Sequence, residues 1–372
     1  MTDTSPPPAP LSGVRVAEFG NLIAAPFCAM LLADLGADVV KAEPPSGDLG
    51  RGFGPYINGE SAFFLSTNRG KRSVVIDFRT EDGRAQALEL AASADVVVNN
   101  LRHGAMDRLG LDESSVRAVN PDVIYATVSA FGADGPYAAR TGIDLIFQAE
   151  SGMMSLTGEP GSPPGKTATT IGDYVAATNT ALGICAALVD RDRTGKGSRV
   201  DVSLRDSLIA VQAGWNAIAF ATGEQPEKTG TASPFLAPNR MFETADGQMV
   251  IAIVSDRHFE ILCKTLGRPD LIEPFFGNDH RLAERAELEE ALTPIFASAT
   301  TAHWLDLLTA AGLPCGRVLT LPEVWNDPQV HHNEMIHSYD HPAAGLVRGL
   351  GSPIRIDGRQ TRSQTPPPPL GG

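Results

Sequence analysis

Asp173 is the residue whose setting offers the most chemistry. It stands in the run Ile171, Gly172, Asp173, Tyr174, between a loop rich in Pro and Gly (157–165) and an Ala-rich run of helical composition (176–188). A carboxylate at a helix start faces the positive end of the helix dipole and the unpaired N–H groups of the first turn. Both favour its ionised, nucleophilic form. Gly172 leaves the approach to that carboxylate open. The alternative role for an aspartate in this place is a plain N-cap.

A second set of candidates is cationic. The chain of 372 residues carries 44 acidic and 30 basic side chains, a net charge of −14, so it has no global basic footprint for nucleic acid. An anionic ligand therefore needs a locally basic site, and the N-terminal half supplies candidates in Lys41, Arg51, Arg69, Lys71, Arg72, Arg102 and Arg108. Other apparent motifs fail on spacing. Gly161 to Thr167 looks like a phosphate-binding loop, but has three residues between its glycines where four are needed. Gly50 to Gly54 lacks the dinucleotide spacing, and the first strand–helix junction (19–26) carries a single glycine. His331, His332, His337 and His341 have no supporting cluster of Cys or carboxylates, and no nucleophile elbow of the GxSxG kind is present. The four cysteines lie far apart without a C-x-x-C, which predicts reduced thiols and a cytoplasmic location. The first ten residues have neither a basic nor an apolar region, so they predict a short disordered lead and no signal peptide. No apolar run approaches the roughly 20 residues of a membrane span, so no membrane partner is expected.

The elements that must position these residues alternate in the first third. Strands are predicted at 13–19, 37–43, 73–77, 95–99 and 123–128, with helices at 26–35, 81–93 and 102–119. Such a series predicts an α/β fold with a largely parallel sheet covered on both faces. After the polar linker 222–230 the texture changes. Asp246 and Gly247 predict a hairpin between 240–245 and 248–253, followed by helices near 256–266, 281–298 and 303–311. Strand-like patterning returns at 315–320 and 351–356, and the proline-rich tail from Pro366 reads as extended on the surface or mobile. The expected organisation is a large domain over 1–222, a small α+β domain over 223–320, and a segment 321–372 returning to the large one.

Taken in order, these pieces resemble the class III coenzyme A transferases, the formyl-CoA and carnitine-CoA transferase (CaiB/BaiF) family. They are Leu35 to Glu43, Asn68 to Ser73, Asn100 to Leu111, Gly142 to Gly152, the Asp173 segment with its Ala-rich helix, Thr194 to Asp206 with its Thr-Gly-Lys-Gly turn, Gly312 to Gly316 and the final Pro-Pro-Pro-Leu-Gly. The resemblance runs from Leu11 to Gly371. It implies a Rossmann-like large domain, a smaller domain, and two chains interlocked as a homodimer. It implies coenzyme A (CoA) and acyl-CoA as substrates, a small carboxylic acid as the other partner, and no prosthetic group or metal. By matching position Asp173 carries the covalent chemistry, Asn21 and Ile23 face the pantetheine, and Asn100 and Leu101 lie near the adenine. Lys41, Lys71 and Arg108 lie near the phosphates and adenosine. Backbone N–H groups near Gly172 or the helix start are expected to stabilise oxyanions.

Three departures narrow the reading. The stretch from Gly230 to Asn239 lacks the glycine run that many of these transferases close over the site, which tells against a formyl/oxalate pair. Leu101 replaces a frequent aromatic, and the usual helical C-terminal extension is missing. The same fold serves α-methylacyl-CoA racemases, which need two acid/base groups and carry a histidine in the Gly-His-Asp segment. Here Gly142, Ile143 and Asp144 stand there, and isoleucine cannot exchange a proton. Transferase is therefore preferred over racemase or a non-catalytic CoA-binding protein.

Overall fold

The computed structural model describes residues 9–372; the N-terminal lead before them lies outside the described residues. The chain divides into two compact units. One comprises the chain up to Met153, 166–222 and 327–372; the other comprises 154–165 and 223–326. This differs from the sequence division in two respects: residues 154–165 leave the large unit, and the small unit runs on to 326 rather than 320.

The large unit is built on six strands: β1 (Arg15–Phe19), β2 (Asp38–Glu43), β3 (Lys71–Val75), β4 (Val96–Asn99), β5 (Ile124–Ser129) and β6 (Arg199–Ser203). Their order across the sheet is β3-β2-β1-β4-β5-β6, and every neighbouring pair is parallel. Consecutive apolar residues form these strands because helices cover both faces; Val96, Val97 and Val98 are all fully buried. The order reverses at β1, so the C-terminal ends of β1 and β4 flank a topological switch point, where open α/β sheets bind ligands.

Helix α1 (Ala24–Asp34) follows β1 and α2 (Glu81–Ser93) follows β3. The expected single helix over 102–119 is instead two short helices, Ala105–Leu109 and Glu113–Val119, broken at Gly110 in the left-handed conformation and recapped by Asp112. After β5 come α3 (Asp144–Glu150), the long helix α4 (Ile171–Thr194), and, beyond β6, α5 (Leu204–Val211). At 24 residues α4 is long and apolar enough to cross a membrane, by length and composition alone. Its small face instead packs on the sheet: a Cβ added at Gly183 would lie 2.8 Å from Val200 Cγ1, so the helix approaches the strands at glycine distance.

The C-terminal part of this unit departs from expectation. Strand pairing at 351–356 is confined to Arg355–Ile356 against Arg359–Gln360, while an unanticipated hairpin joins Ile336–His341 to Gly345–Leu350. His341 is buried at its turn, where Nδ1 accepts from the Ala343 and Ala344 N–H groups. The tail extends along the sheet edge, with Ser73 N–H donating to the Gly372 carbonyl at 2.7 Å.

The small unit holds an antiparallel sheet of β7 (Asn239–Glu243), β8 (Gln248–Ala252) and β9 (Cys315–Arg317), with β8 central. Helices Asp256–Thr265, Arg285–Ala297 and Thr301–Ala310 bury Phe259, Leu292, Phe296 and Leu308 against it.

Candidate active site

Asp173 is the third residue of α4, not its cap. The N-cap is Thr170, whose side chain makes no capping bond. The acceptor comes from another helix: Asp144 Oδ1 accepts the Gly172 N–H at 2.8 Å, and Asp144 Oδ2 accepts from Gln148 Nε2 at 2.6 Å. Gln148 Oε1 in turn accepts the Thr167 N–H at 2.9 Å, which ties the loop before α4 to α3. The i, i+4 spacing of Asp144 and Gln148 places both on one helix face. The Gly172 N–H, one of the groups expected to meet an oxyanion, is thus committed to a carboxylate, which leaves that role to the other N–H groups of the helix start.

This arrangement reverses the expected electrostatics of Asp173. Burial pushes its carboxyl up to about 7, and the charge of Asp144 adds to that. Both effects outweigh the helix dipole, whose worth is typically below about 1 kcal/mol. Among the described residues no cation or hydrogen-bond donor is paired with the Asp173 carboxylate. A half-buried carboxylate with a like charge nearby and no compensation is a high-energy base and nucleophile. Tyr174 beside it packs edge-on against Phe27 of α1, with ring centroids 4.8 Å apart. Ile143 occupies the N-cap position of α3, 67% exposed, and offers no proton-exchanging group.

The same C-terminal edge of the sheet carries a cleft at the switch point, a cavity of about 120 Å³ lined by Phe19, Gly20 and Asn21 at and beyond the end of β1, Glu43 and Pro44 at the end of β2, and Leu101 after β4. Asn21 and Asn100 meet here. Asn100 Oδ1 accepts the Asn21 N–H and Asn100 Nδ2 donates to the Asn21 carbonyl, both at 2.9 Å. Asp48 Oδ1 accepts the N–H of Leu22, a residue held at φ 67°. Such a conformation in a non-glycine residue is costly and persists only where the surroundings enforce it. Ile23 is buried beneath this loop.

Lys41 and Lys71 are placed differently from the surface cations that phosphate contact requires. Lys41 Nζ lies 2.6 Å from Glu18 Oε1 and 2.7 Å from Asp48 Oδ2; Lys71 Nζ lies 2.8 Å from Glu18 Oε2 and 2.7 Å from Asn68 Oδ1. Both ammonium groups are fully buried and committed. Burial works against the charge of Lys41, but Glu18 and Asp48 overcome it and hold its pKa above the ordinary value. Burial draws Lys71 down to about 8 despite Glu18. The parallel register sets Glu18 of β1 directly beside Lys41 of β2. Arg108, by contrast, is exposed on the short helix after β4, next to Leu109 of the cleft wall, and among the described residues it has no carboxylate partner. Glu18, Asp48 and Gln148 were not legible as site-shaping residues. Asp144 was visible only as the end of a Gly-Ile-Asp segment. No group of three or more metal-capable side chains occurs among the described residues.

A cleft at the switch point of one parallel sheet, with an unpaired carboxylate at the start of α4, is the setting in which the comparisons are read. The profile of CoA-transferase family III matches residues 11–372. The chain belongs to that family. It is 37% identical to an acetyl-CoA:oxalate CoA-transferase of Acetobacter aceti, over 99% of this chain and 95% of the relative. It is 35% identical to a succinate–glutarate CoA-transferase of Agrobacterium fabrum, over 100% of this chain and 95% of the relative. A crystal structure of a CaiB/BaiF family protein from Brucella suis superposes with a TM-score of 0.87 at 36% identity, covering 98% of this chain and 97% of that one. The protein is thus an enzyme that moves CoA between acyl groups.

Proposed function

We propose that this CoA-transferase works through a covalent aspartyl-CoA thioester on Asp173 and that its substrates include dicarboxylic acids. The observation that carries the first part is the uncompensated carboxylate of Asp173, held up to about 7 at the start of α4. The carboxylate attacks the donor thioester carbonyl, forming a mixed anhydride and expelling CoA thiolate. The thiolate attacks the aspartyl carbonyl of the anhydride, the donor acid leaves as carboxylate, and aspartyl-CoA remains. The acceptor carboxylate then attacks aspartyl-CoA, and the thiolate released recaptures the acceptor acyl group, restoring Asp173. The second part is supported by the oxalate and glutarate in the names of the two relatives.

CoA occupies the switch-point cleft in this reading, with Asn21, Ile23, Asn100 and Leu101 shaping it. Arg108 meets a phosphate directly, while Lys41 and Lys71 act by holding the loops in place. The working form is a homodimer. Helix Ala213–Thr222 supports this, since it is apolar, has no buried residue in the single chain, and leaves Phe220 84% exposed. The four free cysteines fit a reducing cytoplasm.

Mixing the enzyme with acyl-CoA and no acceptor tests the intermediate. A peptide containing Asp173 is expected to gain the mass of CoA and to be trapped by hydroxylamine or borohydride. Asp173→Asn should lose the adduct and about 10⁴-fold or more of the transfer rate, as removal of a covalent nucleophile does elsewhere. Transfer by the Asn variant at near the wild-type rate would overturn the mechanism.

A further inference from the structure

Beyond the nucleophile and the CoA cleft, the C-terminal edge of the sheet carries two arginines for which the reaction has so far given no use. They share one aromatic pair. Phe131, buried after β5, packs edge-on against Phe147 of α3 at 5.3 Å and against Tyr137 at 5.9 Å. The Arg140 guanidinium lies 4.5 Å from the Phe131 ring and 4.7 Å from the Tyr137 ring; the Arg205 guanidinium lies 5.1 Å and 5.6 Å from the same rings.

The two cations are not equally neutralised. Arg140 is closed by Glu150, with two hydrogen bonds of 3.1 and 2.5 Å. Among the described residues the Arg205 side chain has one carboxylate partner, Asp206, whose Oδ1 lies 3.7 Å from Arg205 Nε on a side chain 61% exposed to water, an ion-pair distance too long for a hydrogen bond. Its Nε is buried and has no acceptor. A buried charged N–H without an acceptor is costly, and a guanidinium laid on aromatic rings keeps its planar fork free for a carboxylate.

Position ties this fork to the nucleophile. Arg205 is the second residue of α5, and Leu208 one turn later lies against Gly172, where an added Cβ would come within 3.1 Å of it. Phe131, Phe147, Leu204, Leu208 and Ala176 belong to one apolar cluster, with Ile171 packed on it, so α4 and the aromatic pair rest on a common base. The strand order puts the CoA cleft at β1 and β4 and Arg205 after β6, and α4 packs on α1, on β5 and β6, and on α5. An acyl group whose thioester carbonyl reaches Asp173 from the CoA side therefore extends its far end toward β5 and β6.

We propose that Arg205, steadied by the Phe131–Tyr137 pair and flanked by Arg140, binds the far carboxylate of a dicarboxylic acyl group and so selects dicarboxylic over monocarboxylic substrates. This rests on the reading of the enzyme as a dicarboxylate CoA-transferase and names the residue that reads the second carboxylate. The free carboxylate meets the open end of the Arg205 fork, whose Nε is already buried; a methyl terminus leaves that fork without a partner.

The test compares glutaryl-CoA with pentanoyl-CoA, equal in chain length, in formation of the covalent enzyme–CoA adduct by wild type, Arg205→Gln and Arg205→Lys. Wild type is expected to favour glutaryl-CoA, and Arg205→Gln to lose about 10- to 100-fold of that preference while its rate with pentanoyl-CoA and its affinity for free CoA stay unchanged. Arg205→Lys should restore part of the preference, having charge without the fork. Equal loss with both substrates would make Arg205 a packing residue and overturn the proposal. So would weaker binding of free CoA, which would assign the arginine to a CoA phosphate. A full preference retained in Arg205→Gln overturns the assignment of Arg205 alone. A wild type without preference overturns the dicarboxylate reading and this proposal with it.

Discussion

Two sets of charged side chains lie along the same edge of one sheet, and they are built on opposite rules. Around Glu18, two carboxylates and two ammonium groups balance: Glu18 and Asp48 against Lys41 and Lys71, all fully or nearly fully buried at 2.6 to 2.8 Å. Around α4, Asp173 and Asp144 carry like charge, and among the described residues no cation pairs with either and Asp144 is satisfied by the Gly172 N–H and Gln148 alone. The balanced set leaves no group free to react and fixes the loops of the cleft, including the left-handed Leu22. The unbalanced set stores its imbalance on one atom pair, the Asp173 carboxylate. Burial alone therefore does not make a reactive group; burial without a partner does.

If that contrast is right, the largest stability effect belongs to the balanced set. Lys71→Met leaves Glu18 with a buried, half-compensated charge and is expected to cost about 3–5 kcal/mol in denaturant unfolding at pH 7. A loss within experimental error would show that the cluster tolerates imbalance and would erase the distinction.

For the reactive set the sign is opposite. The folded-state pKa of Asp173, about 7, lies above the ordinary aspartate value of 3.8. The folded state therefore holds its proton more tightly, and this contribution to stability is full below about pH 4 and is lost as pH rises through 7. Asp173→Asn removes that loss, so it should stabilise the protein at pH 8 by about 1–3 kcal/mol, discounted for partial exposure, and leave stability near pH 4 unchanged. Paired unfolding curves at the two pH values check this; destabilisation at pH 8 would mean that the carboxylate has a stabilising partner in solution.

The smallest effect sharpens the comparison most. Adduct formation should rise tenfold per pH unit below about 7 and level off above, as the Asp173 carboxylate ionises. Asp144→Asn removes the like charge but keeps an oxygen for the Gly172 N–H. The limb should then move to lower pH, raising the ratio of rates at pH 6 and pH 8. A limb that stays in place would assign the high pKa of Asp173 to burial alone.

The sequence by itself determined the alternation of strands and helices, because continuous valine runs and 3.6-residue patterning encode which faces are covered. It determined the family, and it singled out Asp173 from its place before an Ala-rich helix. It also brought out Asn21, Asn100 and Leu101, which local strand ends deliver to one cleft. What tertiary structure alone decided is the state of each charge. Lys41 and Lys71 read as free cations in a list of residues, yet parallel register sets Glu18 beside Lys41, and the two oxygens of its carboxylate close both ammonium groups. Asp173 read as an ionised carboxylate facing a helix dipole, yet Asp144, 29 positions away in the chain (173 − 144), lies close enough to raise its pKa. Arg205 gave no signal at all, since its unpaired Nε exists only where β5, β6 and α3 bring Phe131 and Tyr137 beneath it. Residue type sets which charges a chain has; the distance to the next charge and to water, which the fold alone fixes, sets what each of them does.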